Sequence, residues 1–221
     1  MDLKTKFLET ISSEIDIATA VKRLGADYIN HEKETINLTI PLIENHSNWT
    51  FIDAGAHIGF YSILFALAAP QGQVVCFEPT STIISLQNNI EILQNKKIIS
   101  CQMKLENCAL SNRSGQYPDE VWRVWSAEKV LIENFITIDD YVKNKKLDNV
   151  NFIKIDVDSF DYEVLLGSEE TLKKFSPIVL VENFSPALKL RGHSEEEINA
   201  FMLKLDYKLH ANIEANNIWM R

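Results

Sequence analysis

The apolar positions change rhythm along the chain. In residues 3–24, Phe7, Leu8, Ile11, Ile15, Ala18 and Val21 fall near one stripe of a 3.6-residue period, which predicts a polar-rich amphipathic helix. In TINLTIP, residues 35–41, apolar and polar positions alternate, which predicts a strand. Beyond these the pattern becomes short apolar runs: WTFID ending at Asp53, QVVCFE ending at Glu78, and a weaker run over 98–105. NFIKIDVD over 151–158 and PIVLVE over 177–182 continue the series. Helical stretches lie between them at 58–69, 81–93 and 162–175, the first stopped by Pro70 and Gly72 and the last broken near Gly167. A helix is expected at 194–205, where Glu195, Glu196 and Glu197 suit an N-terminus. VWRVW and VLIENFITI read as short strands after the turn SNRSG, and YKLHA with NNIWM as a closing hairpin.

Runs of this kind alternating with helices predict an α/β fold, with a mostly parallel sheet and helices on both faces. Residues 1–45 read as an N-terminal cap of one helix and one strand, and 46–221 as the main domain of a single globular unit. A chain of 221 residues buries a sufficient core without disulfides or structural metal.

Charge narrows the partners. Lys and Arg total 22 against 31 Asp and Glu, a net charge of −9, which argues against nucleic acid and anionic membrane. Cys76, Cys101 and Cys108 lack C-x-x-C spacing and read as small core residues of a reducing compartment. The start MDLKTKFLETISSEID has no apolar signal core, and no apolar run reaches membrane-spanning length, so a cytoplasmic protein is expected.

The candidate chemistry lies where apolar runs end. Asp53, Glu78, Asp156 and Glu182 each close one, and in an open parallel sheet ligands bind beyond the carboxyl ends of the strands. Asp53, Gly55 and Gly59 make D-x-G-x-x-x-G, which is not the dinucleotide pattern G-x-G-x-x-G. An acid before the turn repels phosphate and suits a cationic ligand. Glu78, 25 positions on, stands where a carboxylate accepts hydrogen bonds from ribose hydroxyls. Ribose without diphosphate, beside a positive charge, points to S-adenosylmethionine.

The blocks FIDAGAHIGFYSIL, VVCFEPTSTIISLQNNI, NCALSNRSG, FITIDDY and NFIKIDVDSFDYEVLLGS together resemble the FkbM-type methyltransferases, over residues 49–183. The resemblance implies a Rossmann-like class I methyltransferase fold with a mostly parallel seven-stranded sheet, and S-adenosylmethionine-dependent O-methylation. It implies that Asp53, Gly55 and Ala56 line the methionine part of the cofactor, with Gly59 closing the turn. It assigns Glu78 to the ribose, and Asn107 and Cys108 to the adenine. His57 stands where the family usually has Asn. In KIDVDSFD, Asp158, Ser159 and Asp161 replace the family's Glu, Gly and Glu.

On a strand, Lys154, Asp156 and Asp158 would share one face. They read either as a structural ion pair or as a site with Asp156 beside the methyl group as base or orienting group. Glu182 contacts the acceptor or water in the site, or caps a loop, and His57 is a base, orients the cofactor or packs at the turn. A divalent cation on Asp156, Asp158 and Glu182 has no His or further acidic pattern behind it, so no metal is expected. Trp122 and Trp125 read as core packing, a dimer contact or the lining of an acceptor pocket. His31, His46, His193 and His210 show no partner pattern and are expected at the surface. The favoured function is methylation of a hydroxyl on a small molecule or glycan. The alternatives are a non-catalytic S-adenosylmethionine-binding or assembly protein and, further off, a dinucleotide oxidoreductase.

Overall fold

The structure, a computed structural model, describes residues 1–16, 30, 32–123 and 128–221. His31, Trp125 and the second half of the predicted first helix lie outside them. The chain divides into two units, Met1–Asn107 and Cys108–Arg221. Among the described residues seven strands make one mostly parallel sheet, three from the first unit and four from the second.

In the first unit, β1 (Thr50–Ala54), β2 (Gln73–Phe77) and β3 (Gln102–Glu106) are parallel, with Asp53 level with Cys76 and Cys76 with Leu105. Every residue of β1 is buried, as expected of a parallel strand covered on both faces. Helix α1 (Leu3–Ser13) is capped by Asp2, whose carboxylate accepts the Thr5 N–H. It buries Phe7 and Ile11 and meets helix α3 (Phe60–Ala68) through Phe7 on Phe60, ring centroids 5.1 Å apart. Phe65 of α3 stacks on Phe51 of β1 at 4.6 Å. Each such buried side chain contributes about 1.5–3 kcal/mol. Helix α4 (Ile83–Asn95) follows β2.

One element differs in kind from its expectation. Residues 35–41 lie in helix α2 (Lys33–Ile43), not in a strand. Ile36 and Ile40 fit both periods, and Ile43 decides for the helix: these three are buried, while Leu38, which alternation requires inside, is 39% exposed. Pro41 sits near the helix end, where its missing N–H removes one hydrogen bond.

In the second unit, β7 (Phe152–Ile155) and β8 (Ile178–Glu182) are parallel, and β10 (Asn216–Met220) joins β8 and β9 (Lys208–Ile213) antiparallel, giving the expected hairpin. A three-stranded sheet in the order β4-β6-β5 is built from β4 (Ala109–Leu110), β5 (Gly115–Arg123) and β6 (Glu128–Ile136). Helices α5 (Ile138–Lys145), α6 (Asp161–Leu166), α7 (Glu169–Phe175), α8 (Ser185–Leu190) and α9 (Glu195–Lys204) complete it. Ser194 and Glu197 form a capping box on α9, so the acidic start of that helix was a true boundary signal. No described helix is long and apolar enough to cross a membrane.

Candidate active site

The turn from β1 into α3 is held by backbone conformation first. Gly55 has φ +80°, His57 φ +50° and Gly59 φ +102°. Glycine takes such angles freely; of the larger residues Asn, Asp and His do so most often, which explains why His57 stands where the family usually has Asn. The N–H groups of Gly55 and Ala56 both donate to the Phe77 carbonyl at 3.0 Å, tying the turn to the end of β2. The Gly59 N–H donates to the Ala56 carbonyl at 2.8 Å. A Cβ on Gly59 would stand 2.8 Å from Leu86 Cδ1, so α4 packs directly onto the turn.

Glu78, 6% exposed, gathers this corner. Its Oε2 accepts the His57 N–H at 2.9 Å. Its Oε1 accepts the Thr80 N–H at 3.0 Å and the Thr80 hydroxyl at 2.5 Å. A carboxylate offers about four acceptor positions, so capacity for another donor remains. Asn107 Nδ2 donates to the Glu78 carbonyl at 2.9 Å. Thus the structure brings His57, Glu78 and Asn107 together, and Thr80 joins them unforeseen. Its only signal was a hydroxyl two residues past the strand-ending acid.

Asp53 is turned inward. Fully buried, it accepts the Ser62 hydroxyl at 2.5 Å, pinning β1 to α3. Burial, with the Asp53 charge second, pushes the thiol of neighbouring Cys76 far up, so Cys76 is an inert core residue. Burial likewise pushes Cys101 up to about 12. Cys108 opens the second unit and is half-buried.

In the second unit the acids follow β7. Lys154 is 3% exposed, and its Nζ lies 3.1 Å from Asp156 Oδ2. The expected shared strand face of Lys154, Asp156 and Asp158 is not formed, because β7 ends at Ile155 and Asp158 turns with φ +64°. A left-handed residue breaks the period-2 alternation on which that expectation rested. The turn is closed by Asp161, whose Oδ1 accepts the Val157 N–H at 3.0 Å. Burial, then the nearby Asp156 charge, pushes the Asp161 carboxyl up to about 8. Ile155 is level with Val181, so Asp156 and Glu182 extend from adjacent strand ends.

His193 departs from its expected surface position. Its Nε2 lies 3.5 Å from Glu163 Oε1 and its Nδ1 3.6 Å from Glu197 Oε2, with Tyr162 edge-on. Arg191 bonds the same Glu163 and also Asp119 at 3.2 Å, and its guanidinium lies 3.6 Å over the Phe160 ring. The Arg191 partners Glu163 and Asp119 lie 28 and 72 residues away in the chain, beyond any local motif, whereas Glu197 is one helical turn from His193. His46 stacks on Trp49 at 3.8 Å, and His210 is exposed. Among the described residues no three His, Cys, Asp or Glu side chains gather as a metal site.

The chain is 26% identical over 206 residues to methyltransferase sdnD of Sordaria araneosa, covering 76% of this chain and 78% of that protein. Its fold is similar to that of methyltransferase FkbM from Methylobacillus flagellatus KT, with a TM-score of 0.58 at 15% identity over 99% of this chain. The chain spans 59% of that structure's length. The magnesium protoporphyrin IX methyltransferase of Synechocystis PCC 6803, solved with bound SAM, is similar in fold at TM-score 0.52 and 13% identity, covering 99% of this chain and 96% of that one. Residues 53–209 match the family model described as the methyltransferase FkbM domain. That match spans well over half the chain, from the acid before the glycine turn to the closing hairpin, and the chain belongs to the FkbM methyltransferase domain family.

Proposed function

We propose that the chain is an S-adenosylmethionine-dependent methyltransferase acting on a hydroxyl oxygen of a small molecule or glycan. The observation that carries the cofactor reading is Glu78: a buried strand-end carboxylate, bonded to the His57 amide of a glycine turn, with acceptor capacity left. That fits a ribose diol. The turn Gly55, Ala56, His57 and Gly59 would hold the methionine part, and Asn107 and Cys108 the adenine. Asp53 serves from behind by fixing α3 through Ser62. When bound, the cofactor supplies an electrophilic methyl group on a sulfonium.

The chain's own part in the transfer is to orient the acceptor and take its proton. Asp156, about a quarter exposed and beside the buried Lys154 ammonium, is the group assigned to the hydroxyl proton. Glu182, on the adjacent strand end, is assigned to acceptor orientation. Lys154 balances the Asp156 charge. Much of the rate is expected from positioning.

Calorimetry tests the cofactor. S-adenosylmethionine and its demethylated product should bind in the micromolar range, about −8 kcal/mol, while NAD and ATP should not. Tight NAD binding without response to the methyl donor would sink the reading. Transfer to a panel of hydroxyl acceptors tests the reaction; binding without transfer to any class of acceptor would favour the non-catalytic alternative.

A further inference from the structure

Asn89 lies on α4, three residues and one helical turn beyond Leu86, so both side chains point to the same side of the helix. Leu86 packs on Gly59, and Asn89 bonds the residue before it. Asn89 Nδ2 donates to the Ile58 carbonyl at 3.0 Å and, more weakly, to the Asp16 carbonyl at 3.4 Å. Asn89 Oδ1 accepts the Asp16 N–H at 2.8 Å. The side chain is fully buried. One amide therefore joins the glycine turn to the segment just after α1.

We infer that Asn89 is a positioning residue for the cofactor turn, and that through it the N-terminal segment helps shape that turn. The inference rests on the reading that residues 55–59 hold S-adenosylmethionine. Between the two glycines of the turn His57 is left-handed, a conformation that a residue with a Cβ keeps only where its surroundings impose it. On the α4 side two contacts hold the turn: the apolar one of Leu86 on Gly59 and the polar one of Asn89 on Ile58. Without the Asn89 donor, the buried Ile58 carbonyl has lost a partner and the turn can relax. The N-terminal segment is placed by further contacts: Phe7 on Phe60, and Lys96 with Glu14 at 2.6 Å. It lies in the same unit as the turn, Met1–Asn107.

The test compares wild type, Asn89→Asp, Asn89→Ala and Ile11→Ala. Ile11 is a buried α1 residue that makes none of the three Asn89 hydrogen bonds, and it controls for general loosening of α1. S-adenosylhomocysteine, the demethylated product, is titrated at pH 8.5 and pH 5.5. At pH 8.5 both Asn89 variants should bind about tenfold more weakly than wild type. At pH 5.5 Asn89→Asp alone should recover, because a protonated carboxyl, favoured by burial, again donates to Ile58 while still accepting from Asp16. Ile11→Ala should melt earlier and bind like wild type. Wild-type affinity in Asn89→Ala, or an equal loss in Ile11→Ala, would overturn the inference. Amide exchange at residues 55–60 of the cofactor-free protein reads the same contact without a ligand. It should quicken in Asn89→Ala and not in Ile11→Ala; unchanged exchange overturns the inference. A wild type that ignores the cofactor would overturn the reading of the turn, and the exchange result would still decide whether Asn89 holds it.

Discussion

The Glu78 carboxylate accepts the backbone N–H of His57 at 2.9 Å, across 21 residues of sequence. One side chain thereby fixes a left-handed residue of the β1–α3 turn and, through Thr80, the start of the path into α4. Removing it should have two consequences. Glu78→Ala should weaken S-adenosylmethionine binding by about 1.5–3 kcal/mol, the usual loss for hydrogen bonds to a charged group. It should also destabilise the cofactor-free protein by about 1–3 kcal/mol, because buried donors lose their acceptor. Calorimetry and denaturant unfolding on the same variant check both; unchanged affinity would place the ribose elsewhere.

Asp156→Asn separates chemistry from stability. The amide still hydrogen-bonds but takes no proton, so turnover should fall by about 10²–10⁴ with cofactor affinity nearly intact. The buried Lys154 loses its counter-charge, and stability should drop by about 1–3 kcal/mol, less than for a fully buried pair because Asp156 is partly exposed. Single-turnover rates per folded molecule, read with the melting temperature, decide. A variant that melts early yet transfers at the wild-type rate would remove Asp156 from the mechanism.

Asp161 predicts a pH dependence. Its carboxyl is raised from 3.8 to about 8, chiefly by burial, so between those values the folded protein holds a proton that the unfolded chain has released. Stability from this group is fully present below pH ~4, falls as pH rises, by at most about 1.4 kcal/mol per unit, and is lost above the folded value. Asp161→Asn keeps an acceptor for Val157 and cannot ionise, so its stability relative to wild type should grow from pH 4 to pH 8. Urea midpoints across that range measure it; a constant difference would mean that Asp161 does not carry the titration.

Gly59→Ala should cost about 1–2 kcal/mol and weaken cofactor binding, since φ +102° is unfavourable for any residue with a Cβ. Leu86 Cδ1, at 2.8 Å from the new atom, is the end of a flexible side chain and can move. Adding Leu86→Ala should therefore not restore stability; full rescue would show the penalty to be steric rather than conformational.

The sequence by itself determined the succession of buried strands and helices, because a strand covered on both faces must be apolar throughout and ends where polarity returns. It also determined Glu78, as the acid at the end of a strand, and the glycine turn, because left-handed angles restrict the choice of residue. It was ambiguous at 35–41, where Ile36 and Ile40 satisfy both periods and only the burial of Ile43 with exposure of Leu38 chose the helix. It could not show where β7 ends, because Asp158 leaves the extended conformation without a glycine to mark it. The fold alone decided that Asp53 faces Ser62 in the interior, that Thr80 shares Glu78 with His57, and that His193 lies between Glu163 and Glu197. It also decided that Asn89, 31 residues from Ile58, holds the turn. Local patterning records which positions are buried; it does not record which buried polar groups meet, since that depends on helix and strand faces brought together from distant parts of the chain.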